Sequence, residues 1–367
     1  MVFSKKAFSY LITDLITNLF FGMVIFLSLI IMIQSFSLSE DIINFGADFL
    51  SICKIILYIS LSFLPTIIPM ALLFSLLMTY SRLNMESELV ALKSLGLSTT
   101  NLFLPALVLS LGCSFISAQL SFYIAPWGQK KMASLFSELA QNRVKLNIKE
   151  GVFTTQFKDV VIYADKISKD KSKIDRLFIY NEVKGTEPIA IVAQEGLFKS
   201  QKKVGGAFGF IKLNDGHIHK TSNNSYTKVS FNENIINLYD PQKLNLIKKK
   251  PMLMSLSEIK LTMSEAAVDT REYLKANIEF NKRWALSLAS LLFSFIGFGI
   301  ATIIQKRQSK SNGFVACVAL IVIYWLLFVS SENLANSGKL PVVISLWGAN
   351  IIYLITGIYL FNKSSKI

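Results

Sequence analysis

The sequence predicts an α+β membrane protein: six transmembrane helices in two groups of three, with a β-rich domain inserted between the groups. Three observations carry this. Hydrophobic residues make up 52% of the 367-residue chain, including 28 Phe, and mean hydropathy is +0.47. The apolar excess falls in six blocks, 15–36, 55–79, 102–125, 284–304, 313–329 and 342–360, each close to the about 20 residues that cross a hydrocarbon core about 30 Å thick. The polar stretch between the third and fourth blocks runs to about 150 residues, enough for an independent domain. The chain therefore divides into residues 1–126, an insert at 127–255, and 256–367.

Orientation follows from the cations in short loops. Lys5 and Lys6, Arg82 and Lys93, Lys306, Arg307 and Lys310, and Lys363 and Lys366 mark four cytoplasmic places. The 37–54 loop carries Glu40, Asp41 and Asp48 against Lys54, so it reads as external, as does the charge-balanced 332–339 loop. The insert is then external as well. Its excess of Lys and Arg is no objection, because long domains cross the membrane largely regardless of charge.

In chain order, the first block has spanning length and no cleavage-like site, so it reads as a retained span. Its Gly22 is small enough to let another helix approach. The second contains Pro65 and Pro69, which kink a helix and free carbonyls that neighbouring helices must satisfy. A helix at 82–95 is expected next, with Met85, Leu89 and Leu92 on one stripe and Gly96 as its stop. Within it Arg82 and Glu86 pair at i,i+4, whereas Glu88 has no cation in reach and lies on the edge of the apolar stripe. That geometry suits a bond from an arginine of another protein.

Seven short segments of the insert are rich in β-branched and aromatic residues: 152–157, 159–164, 176–181, 189–194, 209–213, 217–221 and 226–231. Such strands with polar turns suggest a sandwich or jelly roll. His217 and His219 share a strand face, but no third ligand accompanies them, so no metal site is expected. From residue 256 helix returns, with Ser264 as N-cap of a segment running rigidly into the fourth span. No catalytic residues are identified, since no nucleophile motif such as G-x-S-x-G is present and ionisable groups in the spans are few, Asp14 lying at the edge of the first. The chain also lacks a G-x-x-x-x-G-K-[ST] phosphate loop.

These features together resemble the LptF/LptG (YjgP/YjgQ) family of lipopolysaccharide export permeases. The resemblance rests on SRLNMESELVALKSLGLS (81–98), on E-x-N-x-R at Glu279, Asn281 and Arg283, on SGKLPVVISLWGANIIYL (337–354), and on the frame of three spans, insert and three spans. Of the two paralogues, 71–98 is more similar to LptF than to LptG. The resemblance implies that the insert is a periplasmic β-jellyroll whose interior receives acyl chains, and that the protein sits in the bacterial inner membrane with gates near the first and fifth spans. It implies a cytoplasmic ATPase-coupling segment formed by Arg82, Glu86, Glu88, Leu89, Leu92 and Gly96, docking on an LptB-like ATPase dimer. ATP and Mg would be used by that ATPase, with no cofactor on this chain. The remaining partners implied are an LptG-like permease, LptC-like and LptA-like bridge proteins, and lipopolysaccharide. Family members carry basic residues at the external end of the first span; here that end reads IMIQSFSLSE, with Gln34 and Ser37. Candidate substrate contacts are accordingly Gln34, Lys54, Glu279, Asn281 and Arg283. A membrane-bound lipid-modifying enzyme would need a polar catalytic cluster, and a tethered scaffold would need neither six spans nor a charged coupling segment.

Overall fold

The structure, a computed structural model, describes residues 5–45, 48–147, 150–157, 160–168, 173–181, 189–199, 207–222, 225–239, 251–267, 270–303 and 311–364. Asp159, Ile304, Lys306, Arg307, Lys310 and Lys366 lie outside these. The chain forms two compact units, one of Met1–Leu38, Lys54–Lys131 and Pro251–Ile367, the other of Ser39–Cys53 with Met132–Lys250.

Among the described residues, six helical stretches are long and apolar enough to cross a membrane. They belong to α1 (Lys5–Phe45), α2 (Phe49–Met85), α4 (Thr99–Gln119) continuing into α5 (Ala125–Asn147), α7 (Arg271–Ile303), α8 (Ser311–Asn336) and α9 (Val342–Ser364). The short α3 (Glu88–Ser94) and α6 (Leu256–Glu265) lie outside the spans. Much of the expected external loop after the first span is helical, because α1 runs on to Phe45 and α2 begins at Phe49. A π turn at Leu120–Ile124 joins α4 to α5.

Lipid offers no hydrogen bonds, so the spans are joined by close backbone approach and by polar groups that satisfy one another. Gly22 of α1 sits against Ala71 and Phe74 of α2, and Gly297 of α7 against Leu73 and Leu76. Pro69 lacks the amide that would bond the Pro65 carbonyl, and Ser117 Oγ of α4 donates to that carbonyl instead, at 2.9 Å. Asn350 of α9 donates to Ala285 O of α7 and accepts from Tyr324 of α8, both at 2.9 Å, locking three helices together. α2 is the central element, with 67% of its apolar window buried inside the protein; for α1 the share is 6% and for α8 22%.

Where one helix was expected into the fourth span, there are two. Ser255 caps α6 with a reciprocal bond to Glu258, and Ala266 takes an extended conformation that ends it. Ser264 lies in the last turn of α6, its hydroxyl bonded to Leu261 O, and Thr270 is the cap of α7, its Oγ1 accepting from Tyr273 N.

The β domain is one antiparallel sheet in sequential order: β1 (Phe153–Phe157), β2 (Val160–Ile167), β3 (Lys173–Asn181), β4 (Ile189–Lys199), β5 (Ala207–Ser222) and β6 (Ser225–Tyr239). The crossing connections of a two-sheet Greek key do not occur among the described residues. The expected strands at 209–213 and 217–221 are the two halves of β5. Along β2 to β5 the buried and partly buried residues alternate, as a one-faced core requires, except at one transverse line where they fall three apart. The steps are Ala164 to Ile167, Ile174 to Leu177, Ala193 to Gly196, and Leu213 to Gly216. The register places Asp165, Arg176, Gln194 and Asp215 side by side along this line, and Arg176 and Asp215 have left-handed φ of 51° and 49°. An extra residue per strand bends the backbone while keeping the apolar side chains on one side. The sheet is therefore creased, and its two halves close on an interior of Ile162, Ile174, Leu177, Ile179, Ile211 and Leu213, all no more than 1% exposed. The histidines face away, His217 pairing with Ser230 at 3.0 Å and His219 with Tyr226 at 2.5 Å across the β5–β6 ladder.

Gly216 sits beside the crease, where an added Cβ would lie 2.5 Å from both Val192 O and the Phe231 ring. Gly216→Ala is expected to destabilise the β domain by about 1–3 kcal/mol through overpacking against backbone, measured as faster limited proteolysis of the insert with the helices intact.

Candidate functional site

Two polar clusters lie about 27 Å apart along α7, counting 1.5 Å per residue from Arg283 to Ala301, which is close to the thickness of a bilayer core. At one end, the last turns of α2 send side chains to three helices. Tyr80, fully buried, donates to Leu102 O of α4 at 2.8 Å. Asn84, four residues on and therefore on the same face, donates to Ala301 O and Thr302 O at the end of α7, at 3.3 and 3.2 Å. Arg82 points the other way. Its Nη1 donates to Glu86 at 2.8 Å and lies 3.6 Å from Glu88, while its Nη2 donates to Asp14 and to Tyr10 Oη at 3.2 Å. Tyr10 in turn donates to Glu88 Oε2 at 2.9 Å.

This alters the expected coupling helix. The chain does not continue as one helix from 82 to 95, because Ser87 adopts a left-handed φ of 60° and breaks it after Met85. The break swings Glu88 back toward Arg82 and Tyr10, so Glu88 is not without a cation. It is the least tightly held of three carboxylates around one guanidinium. Leu89 is 3% exposed within the helical core, and Leu92 packs on that core, so their stripe faces the protein's own interior. The outer face of α3 instead presents Val90 and Leu95, 47% and 80% exposed, which the sequence pattern missed because it assumed a helix beginning one turn earlier. Gly96 stops α3 as expected. At φ 88° it donates to Lys93 O while Leu97 N donates to Leu92 O, the paired bonds of a Schellman motif.

At the other end, Glu279, Asn281 and Arg283 come together on α7. Arg283 is 4% exposed; its Nε donates to Glu279 at 2.8 Å, and Nη2 reaches the carbonyls of Pro251 and Met252 at 3.3 Å. Phe122 of the π turn lies under the guanidinium, 6.0 Å from ring centroid to Cζ. Asn281 is bonded to Asn277 and accepts from Trp347 of α9 at 3.4 Å. Arg283 thus pins the Pro251–Leu253 turn, where the chain comes back from the insert, through Nε and Nη2, while its buried Nη1 has no hydrogen-bond partner among the described residues. Gln34 is half-buried on α1, and Lys54 is exposed near the start of α2. Beside this cluster, half-buried Lys282 pairs with both oxygens of Glu332 on α8 at 2.7 and 2.9 Å. Sequence reading placed Glu332 in a loop and so missed this tie.

Six apolar helices with a β insert and a charged break after the second span describe a multi-pass membrane protein. The chain matches the family described as "Lipopolysaccharide export system permease LptF/LptG" over residues 9–363, and it belongs to that family. It is similar to the "Lipopolysaccharide export system permease protein LptF" of Escherichia coli, 21% identical over 80% of this chain and 77% of the relative, and to that of Shigella flexneri at the same identity and coverage. A Rickettsia prowazekii protein described as uncharacterized is 22% identical over 81% of this chain and 83% of its own length.

Arg283→Ala leaves Glu279, 15% exposed, without its partner and the Pro251 and Met252 carbonyls without their donor, a change expected to cost about 3 kcal/mol, the lower end for breaking a buried pair. We expect a clear fall in the thermal midpoint of the detergent-purified protein. An unchanged midpoint with reduced lipid binding would instead make Arg283 a substrate contact.

Proposed function

We propose that this chain is one of two paired permease subunits of an ATP-driven lipopolysaccharide exporter in the inner membrane. The observation that carries the reading is α3: a short helix beyond the second span, held by its inner face, with Val90 and the following Leu95 turned outward and Glu88 partly exposed beside Arg82 and Tyr10. An LptB-like ATPase dimer docks there, using ATP and Mg that this chain has no motif to bind. An LptG-like permease covers the apolar faces that α1 and α8 leave open, the two least buried spans, and lipid enters beside them.

The creased β domain lies in the periplasm in this reading. Its apolar interior takes up acyl chains and passes them to LptC-like and LptA-like bridge proteins. The supporting observation is that a single sheet buries a continuous apolar face without a second layer among its described strands.

Leu95→Asp changes a side chain that is 80% exposed, and Glu88→Ala removes a carboxylate that is 37% exposed, an ion-pair partner that at such exposure contributes little to the fold. Each is expected to weaken co-purification of the ATPase by about 2 kcal/mol or more, roughly 30-fold, as loss of an interface anchor does. Undiminished co-purification and export in both variants would remove α3 as the docking element. Photo-crosslinkers at Ile162, Leu177, Ile191 and Leu213 should label lipopolysaccharide, and those at Val192, His217 and Lys228 should not; equal labelling of the two sets would overturn the conduit.

A further inference from the structure

Arg82 is connected in two directions. Toward α3 it holds Glu86 and approaches Glu88; toward α1 it holds Asp14 and Tyr10. The two helices differ in how firmly they are seated. α3 is anchored by Leu89 in the core, whereas α1 buries only 6% of its apolar window and meets α2 through a few points, among them Ser75 on Leu15 O, Asn18 on Thr79, and Gly22.

We propose that Arg82 is the positioning residue about which the first span turns when docking on α3 releases it. The proposal rests on the docking role of α3 given above. Of the three carboxylates around Arg82, Asp14 and Glu86 take its hydrogen bonds, and Glu88 has the longest contact at 3.6 Å. Glu88 is therefore the one that a cation from a docked protein takes most readily. Taking it removes the acceptor of the Tyr10 hydroxyl, which is the contact that clips α1 directly to α3. The Asp14–Arg82 pair stays as the pivot, and α1 is then free to swing about it.

Arg82 and Asp14 are about one-third exposed, 31% and 30%, and ion pairs at this exposure contribute little to folding, so variants here are expected to fold. The test uses the whole exporter in proteoliposomes, measuring ATP hydrolysed per lipid exported. Asp14→Asn and Arg82→Gln should each raise that ratio about fivefold or more, the span of ordinary coupling energies, and the double variant should be no worse than Arg82→Gln, because both break one link. Spin labels at Thr17 and Ala91 should change separation on adding ATP in the unaltered link and stop doing so in either variant. Additive losses, an unchanged ratio, or an ATP-dependent separation that survives in Arg82→Gln would overturn the proposal while leaving docking intact. Failure of the unaltered chain to hold an ATPase would overturn the docking reading, and the proposal with it.

Discussion

One turn and a half of α2, from Tyr80 to Asn84, governs how the helical unit holds together at that end. In a medium without water each polar side chain must find its partner within the protein, and here one short stretch supplies partners for three helices. The i,i+4 pair Tyr80 and Asn84 takes α4 and α7 on one face, and Arg82 takes α1 on the other. Because α2 is the best buried span, these bonds are made from a fixed frame to more loosely held ones. The pattern explains why a break can follow immediately: by Met85 the helix has discharged its packing duties, and Ser87 can turn the chain into α3.

The two units solve the same problem of backbone polarity by different means. In the spans, helices satisfy most of their own amides and carbonyls, and one exception, made by Pro69, is repaired by Ser117 of α4. In the β domain the ladder satisfies the backbone, and the difficulty is a bare apolar face. A crease at Asp165, Arg176, Gln194 and Asp215 resolves it, at the expense of left-handed backbone at two of those positions. Arg176 and Asp215 are polar and outward-facing, and Arg176 pairs with Asp165 along the line, so the left-handed positions carry polar side chains on the outer face.

Much of this was legible in the sequence. The six spans are strong signals because length and hydropathy are cumulative, and Gly96 was readable as a stop because only its neighbourhood decides it. The misreadings have a common cause in local signals that tertiary structure uses otherwise. Asn214-Asp215-Gly216 is a turn signature in isolation, but within β5 it supplies the crease, with Asp215 in the left-handed region. Arg82 to Leu95 has good helical periodicity, yet Ser87 interrupts it, and so Glu88 joins the cluster around Arg82. Ser264 has the right spacing for a cap, but Ser255 with Glu258 had already claimed that role one helix earlier. That Arg283 is spent on Pro251 and Met252 could not be read at all, since it depends on where the chain returns after more than a hundred residues.

The π turn at Leu120–Ile124 sets a counting rule for the chain. It holds one residue more than an α turn would, so everything after it is rotated by about 100° relative to an unbroken helix. Phe122 inside it meets Trp284 at 5.2 Å between ring centroids, and Gly128 beyond it fits against Tyr58 and Ser62 of α2. The two contacts are in phase only with that extra residue present. Shortening the segment by a single codon would leave composition and hydropathy almost untouched, yet would turn Gly128 away from α2 and misdirect the helix that leads into the insert.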